Sequence, residues 1–159
     1  MLTTDEIQAK LKEKFGTQRS DYFTELKATR KERIFINVSS MQLREVIIYL
    51  KETFAMTHIT TITAIDVGEN IELLYHFYVS GITISLRVAV PKSNPVVETI
   101  TPIIPGAILY EREIQDLLSV KVNAHPDPRR LILPEDWPDG VYPLRKSFNK
   151  AELTNEKQK

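Results

Sequence analysis

Apolar side chains recur along this chain with two periods, and the switches between them mark out its elements. In TTDEIQAKLKEKFG, Ile7, Leu11 and Phe15 repeat at i, i+4 and i+8, Thr3 and Glu6 have capping-box spacing, and Gly16 is placed to end a helix. DYFTELKAT and RIFINVS then read as two strands, the second alternating through Ile34, Ile36 and Val38. SSMQLREVIIYLKETFAM returns to the helical period, with Leu43, Val46, Ile47, Leu50 and Phe54 on one stripe and Ser39 or Ser40 as the cap. Three strands follow: the β-branched HITTITAIDVG, then IELLYHFYV and ITISLRVAV, joined by Ser80–Gly81 as a hairpin.

PKSNP breaks the alternation, and VVETITPIIPG reads as a connector. Pro105 and Gly106 precede a third helix, roughly 107–119. Beyond His125 no period lasts, and five of the nine prolines lie between Pro126 and Pro143. The order α-β-β-α-β-β-β-α predicts an α+β fold of two layers, with helices on a mostly antiparallel or mixed sheet. Residues 1–124 are expected to form one domain, and residues 125–159 an extended C-terminal docking tail.

Composition removes several chemistries. The 159 residues carry 21 Lys plus Arg and 21 Asp plus Glu, so no basic face is advertised to nucleic acid. The absence of cysteine rules out disulfides, a thiol nucleophile and cysteine-ligated zinc or iron–sulfur sites. The charged N-terminus has no signal-peptide apolar region, and runs such as VIIYL fall far short of a membrane helix, so a soluble, cytoplasmic protein is expected.

The densest chemistry is YEREIQDLLSVKVNAHPDPRRLILPEDWPDG. On a helical wheel Ala107, Tyr110, Ile114, Leu117 and Leu118 form an apolar stripe. Glu111 and Glu113 sit on its two borders, while Arg112 and Asp116 point away as a possible i,i+4 pair. The diverging glutamates argue against a close carboxylate pair. An acid–base site of Glu111 or Glu113 with His125 is the enzymatic alternative. An arginine-paired structural role for the glutamates is favoured, with Arg129 and Arg130 as intrachain candidates. His58, His76 and His125 lack metal-site spacing, and His125 with Asp127 would make half a site, so a turn histidine satisfied by backbone is the better reading. No glycine motif for phosphates and no serine elbow is present. The tail places Leu131, Ile132, Leu133, Trp137, Val141, Tyr142 and Leu144 on a proline-stiffened chain, which favours docking on another subunit over folding back on its own sheet.

EREIQDLLSVKVNAHPDPRRLI resembles the signature of the 30-kilodalton subunit of respiratory complex I. The matching positions are Glu111, Arg112, Glu113, Asp116, Leu117, Leu118, His125, Arg129, Leu131 and Ile132. LLYHF, ITISLRVAVP and TPIIPGA extend the resemblance over roughly residues 55 to 146. Ser119 and Ala124 stand where the family usually has glycine, Leu109 where many members have tryptophan, and Pro128 where leucine is usual. The resemblance implies a non-catalytic scaffold in the peripheral arm of an NADH-quinone oxidoreductase, at the inner face of the cell membrane, supporting electron transfer coupled to ion translocation. It implies no cofactor in this chain; the donor (NAD or another), flavin, iron–sulfur clusters and quinone are expected in partner subunits. The large, 49-kilodalton-like catalytic subunit is the expected neighbour, with Glu111, Arg112, Glu113, Asp116, His125, Arg129, Arg130, Leu131, Ile132 and Trp137 shaping the interface. LPEDWPDGVYPLRK resembles the short form of the family, which deazaflavin-dependent dehydrogenases and membrane-bound energy-converting hydrogenases share.

Overall fold

A computed structural model of the chain describes residues 3–15, 26–30 and 33–149. Helix α1 (Thr4–Phe15) is closed by the expected capping box: the Thr3 amide donates to Glu6 Oε2 at 2.8 Å, and the Glu6 amide to Thr3 Oγ1 at 3.3 Å. Its buried face is Ile7, Leu11 and Phe15 with Thr4. Gly16 and the first half of the first expected strand lie outside the described residues; β1 itself is Leu26–Arg30. Strand β2 (Arg33–Asn37) leads to helix α2 (Leu43–Phe54), whose buried stripe is the predicted Leu43, Val46, Ile47, Leu50 and Phe54. The serine cap is a correction. Gln42 holds the N-cap position, and the Ser39 hydroxyl bonds its side chain at 2.6 Å instead of a helix amide.

Strands β3 (Ile59–Asp66), β4 (Asn70–Val79) and β5 (Ile82–Pro91) follow. Ser80 (φ 49°) and Gly81 (φ 93°) are both left-handed, as a two-residue hairpin between twisted strands requires. The sheet order is β1-β2-β5-β4-β3, with β2 and β5 parallel and the other pairs antiparallel. Its rows explain the single covered face. Ile36, Leu86, Tyr75 and Ile62 form one buried row, and Ile34, Ile84 and Phe77 another. These join the buried faces of all three helices in one core. The alternate rows, such as Phe35–Ser85–His76–Thr61, turn the other way and leave Tyr78 and Ile65 exposed. The fold is thus the expected two-layer α+β arrangement on a mixed sheet.

Two more strands flank the third helix, one of them in the connector. Strand β6 (Val96–Glu98) pairs in parallel with β7 (Lys121–Asn123), bracketing the third helix. Three residues are too few for an alternation to show, so the pattern misses them. A 3₁₀ turn (Pro105–Ala107) leads into α3 (Ile108–Leu118), which begins one residue later than expected. It ends at Ser119, left-handed at φ 57°, whose amide still donates to the Gln115 and Ile114 carbonyls.

Candidate functional site

Helix α3 carries the first six of the ten signature positions, and two of its faces do different work. Glu111 is wholly buried. Its Oε1 accepts the Ile100 amide at 2.7 Å, and its Oε2 accepts the Thr99 hydroxyl at 2.6 Å. Thr99 in turn accepts from the Thr101 hydroxyl (2.9 Å) and amide (3.1 Å), since its own proton is committed to Glu111. His125 Nδ1 accepts the Asp127 amide at 3.0 Å, which places the ring proton on Nε2. That proton lies 3.1 Å from the Ile108 carbonyl and 3.7 Å from Glu111 Oε2, measured from the nitrogen. Burial pushes the Glu111 carboxyl up, against the opposing pull of the Ile100 amide, the Thr99 hydroxyl and His125. The Tyr75 hydroxyl, also buried, has no partner among the described residues and is pushed up by burial and by Glu111's charge.

The expected arginine pairing of Glu111 is therefore corrected. Arg129 pairs with Asp127 (2.7 and 2.8 Å), and Arg130 with Asp139 (2.7 Å) and the Trp137 carbonyl (2.9 Å). Glu111, wholly buried, is satisfied instead by a threonine hydroxyl and a backbone amide. Glu113 is only half-buried and has no part in this cluster. The acid–base reading fails on access: the Glu111 and His125 side chains are wholly buried, and the roughly 280 Å³ cleft beside α3 is lined by Arg112, Gln115, Asp116, Arg130, Trp137 and Tyr142 among others. Nor do His125 and Asp127 converge on a metal, because the Asp127 carboxylate turns to Arg129 and Arg112.

The face of α3 opposite its apolar stripe clasps the arm. Arg112 and Asp116 do not pair with each other. Arg112 donates to the Arg129 carbonyl (2.9 Å) and the Arg130 carbonyl (2.8 Å), and reaches Asp127 at 3.3 Å. One turn on, Asp116 Oδ2 accepts three successive amides, those of Leu131 (3.1 Å), Ile132 (2.8 Å) and Leu133 (2.8 Å). The cation takes the arm's carbonyls and the anion its amides, so a segment without ladder partners is satisfied by two side chains. The Trp137 indole donates to the Val141 carbonyl at 2.8 Å, closing the arm on itself.

The arm then caps the helix that holds it. Leu144 donates its amide to the Leu117 carbonyl (3.2 Å), and Arg145 Nε donates to the Leu118 carbonyl (2.6 Å), meeting two last-turn carbonyls that α3 cannot satisfy itself. Finally the Lys146 amide bonds Asp66 Oδ2 at 2.9 Å, an oxygen also 2.7 Å from Lys92 Nζ. The Lys92 ammonium, with the Lys146 and Gly68 amides, holds the Asp66 carboxyl well below the usual range. Residues 125–149 are thus bonded to their own domain rather than free of it, while Ile132 and Leu144 stay exposed. The pattern reading missed Thr99, Thr101, Tyr75, Asp66, Lys92 and Arg145. Only Asp66 carried a local signal, the Asp-Val-Gly turn in which it accepts the Gly68 amide.

These contacts define a two-layer α+β domain whose third helix holds its own C-terminal arm. The comparisons with known proteins carry this to a family. Residues 36–154 match the family model for the 30 Kd subunit of respiratory-chain NADH dehydrogenase. The chain is 31% identical to the NADH-quinone oxidoreductase C subunit of Geobacter metallireducens over 154 residues, covering 93% of this chain and 91% of that protein. It is 29% identical to membrane-bound hydrogenase subunit beta of Pyrococcus furiosus over 150 residues, covering 91% and 86%. A chain in the structure of the membrane-bound sulfane sulfur reductase, an archaeal respiratory membrane complex, superposes with a TM-score of 0.82 at 26% identity, over 96% of this chain and 89% of that one. The chain belongs to the 30-kilodalton subunit family of respiratory-chain NADH dehydrogenase. Among the described residues no helix is long and apolar enough to cross a membrane.

Proposed function

We propose that this chain is the 30-kilodalton-type scaffold subunit in the peripheral arm of a complex I-like quinone oxidoreductase, at the inner face of the cell membrane. Its role is to position a large, 49-kilodalton-like catalytic subunit. The flavin, iron–sulfur clusters, electron donor and quinone belong to neighbouring subunits, as does the coupling of electron transfer to ion translocation. The observation that carries this reading is the clasp: Arg112 and Asp116 spend their hydrogen bonds fixing the arm, and the arm's outer side presents Ile132 and Leu144 to solvent. A pre-organised surface with exposed apolar anchors loses little entropy on docking. Family membership supports the same role.

A second reading, the same subunit in a membrane-bound hydrogenase, is favoured by the Pyrococcus furiosus relative and the 0.82 superposition. Affinity purification of the tagged chain from solubilised membranes of its host, with mass spectrometric identification of the companions, tests both. A quinone-reductase or hydrogenase large subunit is expected to co-purify. The isolated chain is expected to carry no flavin and to leave NADH unoxidised; a flavin-bound chain that oxidised NADH by itself would overturn the scaffold role.

A further inference from the structure

The arm is rooted at His125, and both ring nitrogens of that residue are in use. The side chain is wholly buried. Nε2 donates to the Ile108 carbonyl of α3 at 3.1 Å, and Nδ1 accepts the Asp127 amide at 3.0 Å. A neutral imidazole has one acceptor nitrogen, and an imidazolium has none. A proton on Nδ1 therefore sets one N–H against another, and the Asp127 amide has to turn away. Asp127 does not turn alone. Its carboxylate holds Arg129 at 2.7 and 2.8 Å and reaches Arg112 at 3.3 Å. Arg112 in turn holds the Arg129 and Arg130 carbonyls, so displacing Asp127 disturbs the clasp at its first point.

A charge gained on a buried ring needs a counter-charge. Glu111 Oε2 lies 3.7 Å from Nε2, on a carboxylate fixed by the Ile100 amide and the Thr99 hydroxyl. The other groups around the pair keep their charge. Asp127 stays ionised, because Arg129 and Arg112 hold its carboxyl well below the usual range. Tyr75 of β4 stays protonated, because burial and the Glu111 charge push its hydroxyl up. Arg112 and Arg129 remain cationic. This leaves His125 and Glu111 as the groups that can exchange a proton with solvent.

We propose that His125 is a proton-operated latch on the C-terminal arm: proton uptake at Nδ1 expels the Asp127 amide, Glu111 supplies the counter-charge, and the clasp loosens from its root. The closed turn holds no proton at Nδ1, whereas the open turn accepts one. Opening therefore grows by up to about tenfold for each unit that pH falls, wherever the open form is protonated. The latch is a property of the chain alone and goes beyond the scaffold reading without depending on it.

The test is site-resolved amide exchange on the full chain, corrected for the intrinsic pH dependence of exchange, with nitrogen NMR of the imidazole rings. Both run from about pH 8 to about pH 5, the span in which imidazoles change charge. Exchange at Asp127 and at residues 131–133 is expected to rise by up to about tenfold per pH unit as Nδ1 gains its proton, while β4 stays protected. His125→Asn is expected to keep the arm closed and remove the pH dependence, since its side-chain oxygen accepts the Asp127 amide as in an Asx turn and does not titrate. Flat protection across the span, or a protonated Nδ1 with Asp127 still protected, overturns the latch. A pH dependence that survives in His125→Asn assigns the effect to Glu111 and overturns it equally. Should that variant fail to fold, the ring spectra and the exchange of the parent chain decide: a shared midpoint supports the latch, and separate midpoints overturn it.

Discussion

Asp116 is the residue on which the clasp can be weighed. Its Oδ2 takes the amides of Leu131, Ile132 and Leu133, and Asp116→Ala removes the acceptor for all three at once. A hydrogen bond to a charged group contributes about 1.5–3 kcal/mol, so three in full would sum to about 4.5–9 kcal/mol. They share one oxygen, and the freed amides can be hydrated once the arm lifts, so the net cost to arm docking is smaller, about 3 kcal/mol. That cost falls on local opening, because Arg112, Leu144 and Arg145 still tie the arm at other points. At about 1.4 kcal/mol per tenfold, exchange at residues 131–133 should accelerate by about 100-fold. Protection in β4 and β5 should change little, since opening of the arm does not unfold the sheet. Asp116→Asn keeps a neutral acceptor of about half the strength, and a roughly tenfold acceleration is expected. Site-resolved hydrogen exchange on the full chain measures both. Unchanged exchange at 131–133 in Asp116→Ala would refute the clasp, and acceleration spread evenly over the core would show that the arm is part of one global unit.

The left-handed Ser119 (φ 57°) and Ala124 (φ 56°) should each gain about 1 kcal/mol on replacement by glycine, read as a raised urea midpoint at unchanged slope; no gain would mean the local contacts of those side chains offset the strain. Glu111→Ala leaves the Ile100 amide and Thr99 hydroxyl unsatisfied in the core and should cost about 2–4 kcal/mol, with Glu111→Gln costing less. A near-zero change on Glu111→Ala in chemical denaturation would contradict the buried network. Because the folded Glu111 pKa is raised, its favourable contribution is present below the unfolded value and fades as pH rises through the folded one; Glu111→Gln should flatten that decline in a pH series of melting curves. Asp66 has the opposite sign: its folded pKa is depressed, so its stabilisation is present above the unfolded value and lost as pH falls through the folded one. Asp66→Asn should lower stability at about pH 7 and weaken the acid dependence, while an unchanged acid limb would mean the Lys92 and Lys146 contacts contribute nothing.

Periodicity was enough for the elements that bury one face. Ile7, Leu11 and Phe15, the five-residue stripe of α2, and the alternation of β4 and β5 all follow from the need to hide apolar side chains on a helix or strand. The Ser80–Gly81 turn and the α+β class follow from the same local rules. The signature residues were legible too, as a spacing on α3, but not their partners. Glu111, predicted to meet an arginine, meets Thr99 and Ile100 because a parallel pair of three-residue strands, invisible to any period, brings the connector beneath the helix. Arg112 and Asp116, four apart and of opposite charge, had every local reason to pair. The arm offered them a row of carbonyls and amides, and several charge-assisted hydrogen bonds together contribute more than one surface ion pair. Asp66 meets Lys146 across 80 positions of sequence, a contact that chain closure creates and no local pattern encodes. Which residues face inward was decided by sequence; what each polar one holds was decided by the tertiary structure, because hydrogen-bond partners are supplied by whatever backbone the fold delivers.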